Sequence, residues 1–301
     1  MGRKLLLGLL LLTPLSLYPF LRDTGAQNDQ YKYQPVPPPP LTPDQHLVLG
    51  CFALLPGQSF PALIPWEPFR KIGQQESHAL ELLAETDPVE FLQLCLNRYE
   101  QEVHGYRCIF AKQEKVNGKL RKKEKILVHF REKPFSVYME WLEGNDILGA
   151  KRTLYAEGLT DGFLIARTTF GLVVPKKLDD PQVTATSRFP ITQFGVGCGA
   201  RDTLRSMRAA QESGTLYISY EGIVRVKEVG DRLCYKFIRA PQVPPEAEGV
   251  NELILYVDLQ TQMQVGSVLL DTEGNLIAEY YFRDFELNPT FNEKQFTREK
   301  L

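Results

Sequence analysis

Residues 125–141 read KILVHFREKPFSVYMEW, and apolar and polar side chains alternate through both halves of this stretch. We call the apolar positions the inner row: Ile126, Val128, Phe130, Phe135, Val137, Met139 and Trp141. Alternation with a period of two predicts β-strands that are apolar on one face and polar on the other. The stretch therefore predicts two antiparallel strands that share an apolar face.

The same pattern continues on both sides of this stretch. Before it, residues 106–111 alternate, and Asn117-Gly118 is a strong signal for a two-residue hairpin turn. After it, further strands are predicted at residues 153–156, 163–168, 215–227, 233–239, 252–258, 263–270 and 277–285. A sheet of about ten strands does not stay flat. The predicted fold is α+β, mainly β: a single strongly curved antiparallel sheet, or half-barrel.

Helices are predicted in two regions. Residues 76–84 suit a short helix, and a second helix begins at Pro88 behind the N-cap candidate Asp87 and ends before Gly105. Residues 201–212 predict a short helix that interrupts the strands. We expect the N-terminal helix and this short, lid-like helix to pack on the concave face of the sheet.

Four motifs carry a family resemblance: Gly118-Lys119-Leu120, Phe130-Arg131, Lys133 to Trp141 and Arg188-Phe189-Pro190-Ile191-Thr192. With them, the chain resembles the bacterial family of unknown function DUF1571 over about residues 80–290. That family is similar in pattern to Lol-type periplasmic lipoprotein carriers. The resemblance implies a curved sheet closed by helices over an apolar cavity, with a lipid or a lipidated protein as the partner. No residue-level motif of the carriers can be placed on this sequence, so no binding residue is transferred from them.

Two interpretations of the apolar face stay open. The inner row either lines a cavity for an acyl chain or forms a filled core against the helix that begins at Pro88. Residues 188–212, with three glycines at 195, 197 and 199, are either a lid or an ordinary crossover loop. An apolar void above about 300 Å³ favours the cavity, and a packed interior favours a structural or protein-interaction module of the cell envelope.

The densest run of basic residues lies in the hairpin that follows residue 118. Its candidate lipid-headgroup contacts are Lys119, Arg121, Lys122 and Lys123. The alternative is a solvated hairpin arm whose charges discourage pairing at the sheet edge.

The N-terminal quarter predicts export to the periplasm or cell envelope. Residues 1–26 have a basic start, an apolar middle and a small-residue end, as a secretory signal peptide does. The alternatives are an uncleaved membrane anchor at residues 5–21 and a lipid-modified Cys51. Residues 27–75 predict a Pro-rich spacer and an apolar strap or docking segment, residues 76–290 the β-rich domain, and residues 291–301 a C-terminal tail.

Composition and motifs argue against several functions. A net charge of −2 argues against nucleic-acid binding, which needs a basic surface. The four His have no metal-ligand spacing, and no phosphate loop or nucleophile motif is present, so we predict a non-enzymatic protein without a cofactor or metal. The five Cys allow Cys95–Cys108 and Cys198–Cys234 disulfides, or unpaired buried thiols.

Overall fold

A twelve-stranded antiparallel sheet, curved and open, forms the body of the domain. The computed structural model describes residues 74–145, 149–240, 249–292 and 294–301. The predictions for the signal peptide, the spacer and the strap lie outside these residues. Within the described ranges, no helix has the length and apolar character that crossing a bilayer requires.

The strands and helices are numbered here in chain order. The strands are β1 (Gly105–Val116), β2 (Lys119–Leu120), β3 (Glu124–Arg131), β4 (Ser136–Glu143), β5 (Ala150–Ala156), β6 (Leu164–Thr168), β7 (Val173–Lys176), β8 (Ile218–Val226), β9 (Arg232–Arg239), β10 (Glu252–Asp258), β11 (Gln264–Leu270) and β12 (Leu276–Leu287). The helices are α1 (Gln74–Thr86), α2 (Pro88–Glu102), α3 (Pro181–Thr184) and α4 (Val196–Glu212). Two 3₁₀ turns lie at Ile191–Gln193 and Arg298–Lys300.

The sheet is built from two meanders that meet at its centre. Its strand order is β7-β6-β5-β4-β3-β1-β12-β11-β10-β9-β8, and β2 pairs only with β1. The edges are therefore β7 and β8, and the first long strand pairs with the last. Asn117 and Gly118 both have positive φ, at 51° and 77°, which confirms the predicted hairpin turn after β1.

The predicted mainly-β fold is confirmed, with differences in detail. The structure has twelve strands rather than about ten, because β2 spans two residues and β7 contains Pro175. Proline cannot donate to a strand ladder and is confined mostly to edge strands, which is where β7 lies. The helix predicted at residues 201–212 begins earlier, at Val196, and has 17 residues.

Three helices cover one face of the sheet, which we call the inner face. The side chain of Asp87 accepts a hydrogen bond from the Glu90 amide and caps α2, as predicted. Phe91 of α2 packs on Tyr235 and Phe237 of β9, with ring centroids 4.8 and 5.3 Å apart. The α2 stripe predicted from helical spacing is buried: Leu92, Cys95, Leu96, Tyr99 and Val103.

The opposite, outer face is covered in part by the C-terminal residues. Phe296 and Leu301 are buried against Tyr138 of β4 and Ile165 of β6. Phe291 adds a stacked contact with His129 of β3. The two ends of the described chain thus cover opposite faces of the same sheet.

Neither candidate disulfide is present, since Cys95, Cys108, Cys198 and Cys234 are all free thiols, which agrees with the alternative of unpaired cysteines. Cys95 and Cys108 belong to separate apolar clusters. Cys198 lies in α4 on the inner face. Cys234 lies on the outer face, because its β9 neighbour Tyr235 points toward α2 and successive strand residues point to opposite faces. The sheet therefore separates Cys198 from Cys234.

Candidate binding face

The predicted inner-row residues come together on the inner face as cross-strand rows. The register pairs Val137 with Phe130, Met139 with Val128, and Trp141 with Ile126. The β1 ladder extends these rows to Tyr106, Cys108 and Phe110. Directly opposed residues in an antiparallel pair point to the same side, so one continuous apolar surface spans three strands.

This surface is packed rather than hollow. Ile126, Val128, Phe130 and Val137 are at most 1% exposed and Met139 is 7% exposed. Phe135 and Trp141 are partly buried against the same cluster. A small apolar cavity on this face, between α2, α4 and the β10–β11 hairpin, has a volume of about 10 Å³. It holds no more than about one water molecule.

An irregular stretch of chain fills the space above the β1, β3 and β12 part of the inner face. We call residues 185–195, between α3 and α4, the cover segment. Its Phe194 ring lies 5.3 Å from the ring of Phe110 and 5.9 Å from that of Phe282. Ile191 packs on the same cluster. The cover segment therefore fills the space above these rings.

Side chains, rather than a β-ladder, hold the cover segment in place. The backbone-to-backbone hydrogen bonds of residues 186–194 stay local, as in Gln193 to Pro190 and Phe194 to Ile191. At the start of α4, the Val196 amide donates to the Tyr106 hydroxyl over 3.2 Å. Burial raises the pKa of Tyr106 well above its usual range, so this hydroxyl stays protonated.

Gly195 forms the joint between the cover segment and α4. Its φ is +124°, a conformation that L side chains rarely adopt. A Cβ at this position would also lie 3.0 Å from the Phe130 ring. Position 195 therefore has both a conformational and a packing requirement for glycine.

A buried polar cluster holds the other end of the cover segment. Glu114 of β1 is 3% exposed and pairs with Lys112 at 2.6 Å. The same carboxylate accepts hydrogen bonds from the Ser187 hydroxyl at 3.2 Å, the Arg188 amide at 3.4 Å and the Tyr280 hydroxyl at 2.7 Å. We call this cluster the Glu114 latch, because Ser187 and Arg188 belong to the cover segment.

The predicted headgroup contacts lie at one end of the sheet and do not ring the inner row. Lys119, Lys122 and Lys123 are exposed, and Lys123 pairs with Glu279 at 2.7 Å. Arg121 is half-buried and donates to the Ala185 carbonyl of the cover segment over 3.1 Å. An open, polar groove of about 500 Å³ lies beside this hairpin, between Asn117, Ser187 and Asp271.

Sequence reasoning missed part of this site. Phe110 and Phe282 each lie in a stretch with regular alternation. Their ring contact, however, depends on the pairing of β1 with β12, which are far apart in the sequence. Phe194 lies in an aperiodic segment. The predicted alternation covered residues 106–111 only, so it made no prediction for Glu114, which occupies an inner position further along β1. In the described part of the chain, no group of three or more His, Cys, Asp or Glu is arranged to hold a metal ion.

The fold and site define a β-rich protein with a curved sheet, a helix-covered apolar face and an inserted cover segment. The sequence profile of the family described as "Protein of unknown function (DUF1571)" matches residues 103–300. The chain belongs to this family, which confirms the resemblance seen in the sequence. No protein of curated function matches the chain.

Several solved structures are similar to this chain. The lipoprotein LppX of Mycobacterium tuberculosis has a TM-score of 0.40 and 10% identity, over 69% of this chain and 99% of its own. A LolA superfamily protein of Nitrosomonas europaea has a TM-score of 0.33 and 9% identity, over 70% and 99%. The Pseudomonas aeruginosa MucA/MucB complex has a TM-score of 0.38 and 16% identity, over 68% of this chain and 60% of the matched chain.

Proposed function

We propose that the chain is an exported, non-enzymatic binding protein of the periplasm or cell envelope. Its inner face takes up an acyl chain of a lipid or lipidated protein when the cover segment moves aside. The observation that carries this proposal is the side-chain attachment of the cover segment. Phe194 and Ile191 pack on the apolar cluster of the inner face, whereas the backbone-to-backbone hydrogen bonds of residues 186–194 stay local.

Exchange between the cover segment and a lipid conserves apolar burial. When Phe194 moves away, it uncovers the rings of Phe110, Phe130 and Phe282, and these rings face water unless a ligand covers them. An acyl chain replaces these contacts at about 0.8 kcal/mol for each buried methylene. The inner row then forms the floor of the occupied site, which is the first of the two interpretations of the sequence.

The Glu114 latch sets the balance between the closed and open arrangements. Opening removes the Ser187 and Arg188 hydrogen bonds from the carboxylate but leaves its pairing with Lys112 and Tyr280 intact. The buried charge therefore keeps partners in both arrangements, which lowers the cost of opening. Each lost hydrogen bond costs about 0.5–1.5 kcal/mol, and bonds to a charged group cost more.

A second function is favoured by the packed interior. An apolar cavity of about 10 Å³ is far below the roughly 300 Å³ at which ligand pockets begin. A filled core supports a structural or protein-interaction module of the cell envelope, in which the cover segment is a fixed part of the core. The two proposals differ in whether the cover segment moves.

Native mass spectrometry of the full chain with added palmitate distinguishes them. For Glu114→Gln, which weakens the latch, we expect palmitate uptake about tenfold faster than in the parent, since about 1.4 kcal/mol corresponds to a factor of ten. Ser187→Ala, which removes one latch contact, should act in the same direction and less strongly. Glu286→Gln is the matched control, because Glu286 pairs with Arg107 on the exposed surface.

Palmitate adducts that form faster in both latch variants and not in the control support the carrier function. If the parent and all three variants remain free of palmitate while staying folded, the carrier proposal is wrong and the interaction module stands. Lipid that co-purifies with the parent would identify the natural ligand class.

A further inference from the structure

One end of the sheet gathers the turns of six neighbouring strands. The register places Lys125 opposite Glu143, Ala150 opposite Thr168, and Arg167 opposite Val173. Residues 115–125, 141–145, 149–151 and 168–173 therefore lie along the same end of β1 and β3 to β7. We call them the rim. Six strands give five spacings of about 4.8 Å, so the rim is about 24 Å long.

Large apolar side chains stand exposed on the described part of the rim. Among all described residues, nine large hydrophobic side chains are exposed, and five belong to the rim: Leu120, Leu142, Phe170, Leu172 and Val173. Phe170 and Leu172 are the most exposed of the nine, at 71% and 66%. Both lie in the tight turn between β6 and β7. A cluster of this kind at the tip of a structure indicates an interaction surface.

The β6–β7 turn satisfies much of its own backbone. The Thr168 amide donates to the Leu172 carbonyl, and the Gly171 amide donates to the Thr168 carbonyl. The Leu172 amide donates to the Thr168 hydroxyl over 3.2 Å. Unpaired backbone groups are what make insertion into an apolar phase costly. In this turn, which carries Phe170 and Leu172, five such backbone groups are already paired.

The rim is also strongly cationic. Counted from the sequence, its residues include seven Lys or Arg against two Asp or Glu, a net charge of +5, whereas the whole chain carries −2. Lys115, Lys123 and Lys125 pair with Asp271, Glu279 and Glu143. Lys119 and Lys122 are exposed and make no ion pair among the described residues.

We propose that the rim docks on an anionic lipid bilayer, with Phe170 and Leu172 inserted below the headgroups and the β1–β3 hairpin lysines against them. Apolar residues projecting beside basic ones match the interfacial region of such a bilayer. A length of about 24 Å suits a surface rather than a single small anion. The proposal goes beyond the function above and does not depend on whether the inner face takes up a lipid.

Tryptophan depth measurements on the full chain test this proposal. Phe170→Trp places a reporter in the β6–β7 turn. Leu159→Trp is the matched control, because Leu159 is 52% exposed in the β5–β6 turn at the opposite end of the sheet. The emission spectrum of the parent chain under the same conditions is subtracted, which removes the fluorescence contribution of Trp66 and Trp141. Both variants retain the N-terminal residues, so membrane attachment there affects them equally.

With vesicles of phosphatidylcholine and phosphatidylglycerol, we expect position 170 to shift to shorter wavelength and to be quenched by brominated acyl chains. Position 159 should do neither. The double variant Lys119→Glu/Lys122→Glu should weaken the vesicle affinity of the rim at least about 25-fold, since each of the two lysines near such a surface contributes about a factor of five. Thermal unfolding confirms that the variants are folded.

Three results would overturn the proposal. The first is that position 170 is not quenched. The second is that positions 170 and 159 are quenched equally. The third is that position 170 is quenched as strongly in pure phosphatidylcholine vesicles as in vesicles that contain phosphatidylglycerol. The first would leave a protein partner as the occupant of the rim. The last would show that the basic residues do not contribute to binding through anionic headgroups.

Discussion

His129 shows how the two faces of one strand differ in chemistry. Its neighbours in the sequence, Val128 and Phe130, point to the inner face, whereas His129 points outward beneath the C-terminal residues. Its ring stacks 6.1 Å from Phe291 and lies 5.4 Å from Tyr138. Burial, with the nearby charges of Arg107 and Lys300, lowers the pKa of His129 to about 4.

This lowered pKa predicts acid-sensitive stability. Between pH 6.5 and about pH 4, the unfolded chain protonates His129 and the folded chain does not, so the free energy of unfolding falls as the pH falls. Replacing the imidazole in His129→Gln should remove this contribution. Urea unfolding of parent and variant from pH 7.5 to pH 4.5 measures it. Parallel pH profiles would show that His129 titrates normally in the folded state.

Single residues also show where sequence patterns stop being informative. Alternation predicted that the inner-row residues share a face, because strand geometry alone decides which side chains point together. Alternation did not predict Phe194, since the cover segment has no period. Glu114 was missed for a different reason. A buried carboxylate depends on partners such as Tyr280, which lies 166 residues away in the sequence.

The C-terminal residues form an element of their own on the outer face. Phe296 is 2% exposed, and its ring contacts Phe291 at 4.9 Å between centroids. Cations add to this packing: Arg131 lies 4.8 Å from the centre of the Phe296 ring, and Lys300 lies 5.6 Å from that of Tyr138. Residues 291–301, which the sequence analysis describes as a C-terminal tail, are therefore represented by side chains that pack against the sheet.

Truncating Phe296 should destabilise the domain. Phe296→Ala removes a buried ring and leaves a cavity, so we expect the free energy of unfolding to fall by about 3–5 kcal/mol. Phe170→Ala removes the same ring from an exposed turn and should change it by less than about 0.5 kcal/mol. Chemical denaturation of both variants makes the comparison. Equal, small effects would mean that the C-terminal residues contribute little to stability.

Among the elements, those with their own periodicity or caps were predictable and those that depend on the sheet were not. Helix α2 carries Asp87, Pro88 and an apolar stripe, and its limits matched the prediction. Strand β7 has four residues and includes Pro175, so it forms only because β6 offers a paired edge. The extra first turn of α4 likewise depends on the Tyr106 hydroxyl and the packing of Val196.

For the molecule as a whole, the cysteines show that packing rather than cross-linking holds the domain together. Cys95, Cys108 and Cys234 are buried, and Cys198 is half-buried. Burial raises the pKa of each of these thiols, with Cys234 at about 12. The thiol form, which is a poor nucleophile, therefore dominates at neutral pH.

A thiol reagent should distinguish these positions. In native buffer we expect it to modify Cys198 first, and to reach Cys95, Cys108 and Cys234 only after unfolding. Peptide mapping under non-reducing conditions identifies the modified sites, and a reductant should leave the melting temperature unchanged. A disulfide-linked peptide among these four cysteines would contradict the structure.

The strand order has a consequence for how the chain assembles. The β1–β12 pair joins residues about as far apart as the domain allows, whereas the strands on either side are consecutive hairpins. Local hairpins close quickly, and contacts between distant residues close slowly. We therefore expect two half-sheets to form early and to join last at the middle. Until the two half-sheets join, the edges of β1 and β12 that will pair with each other stay exposed, and these edges lie at the centre of the finished sheet and not at its margins.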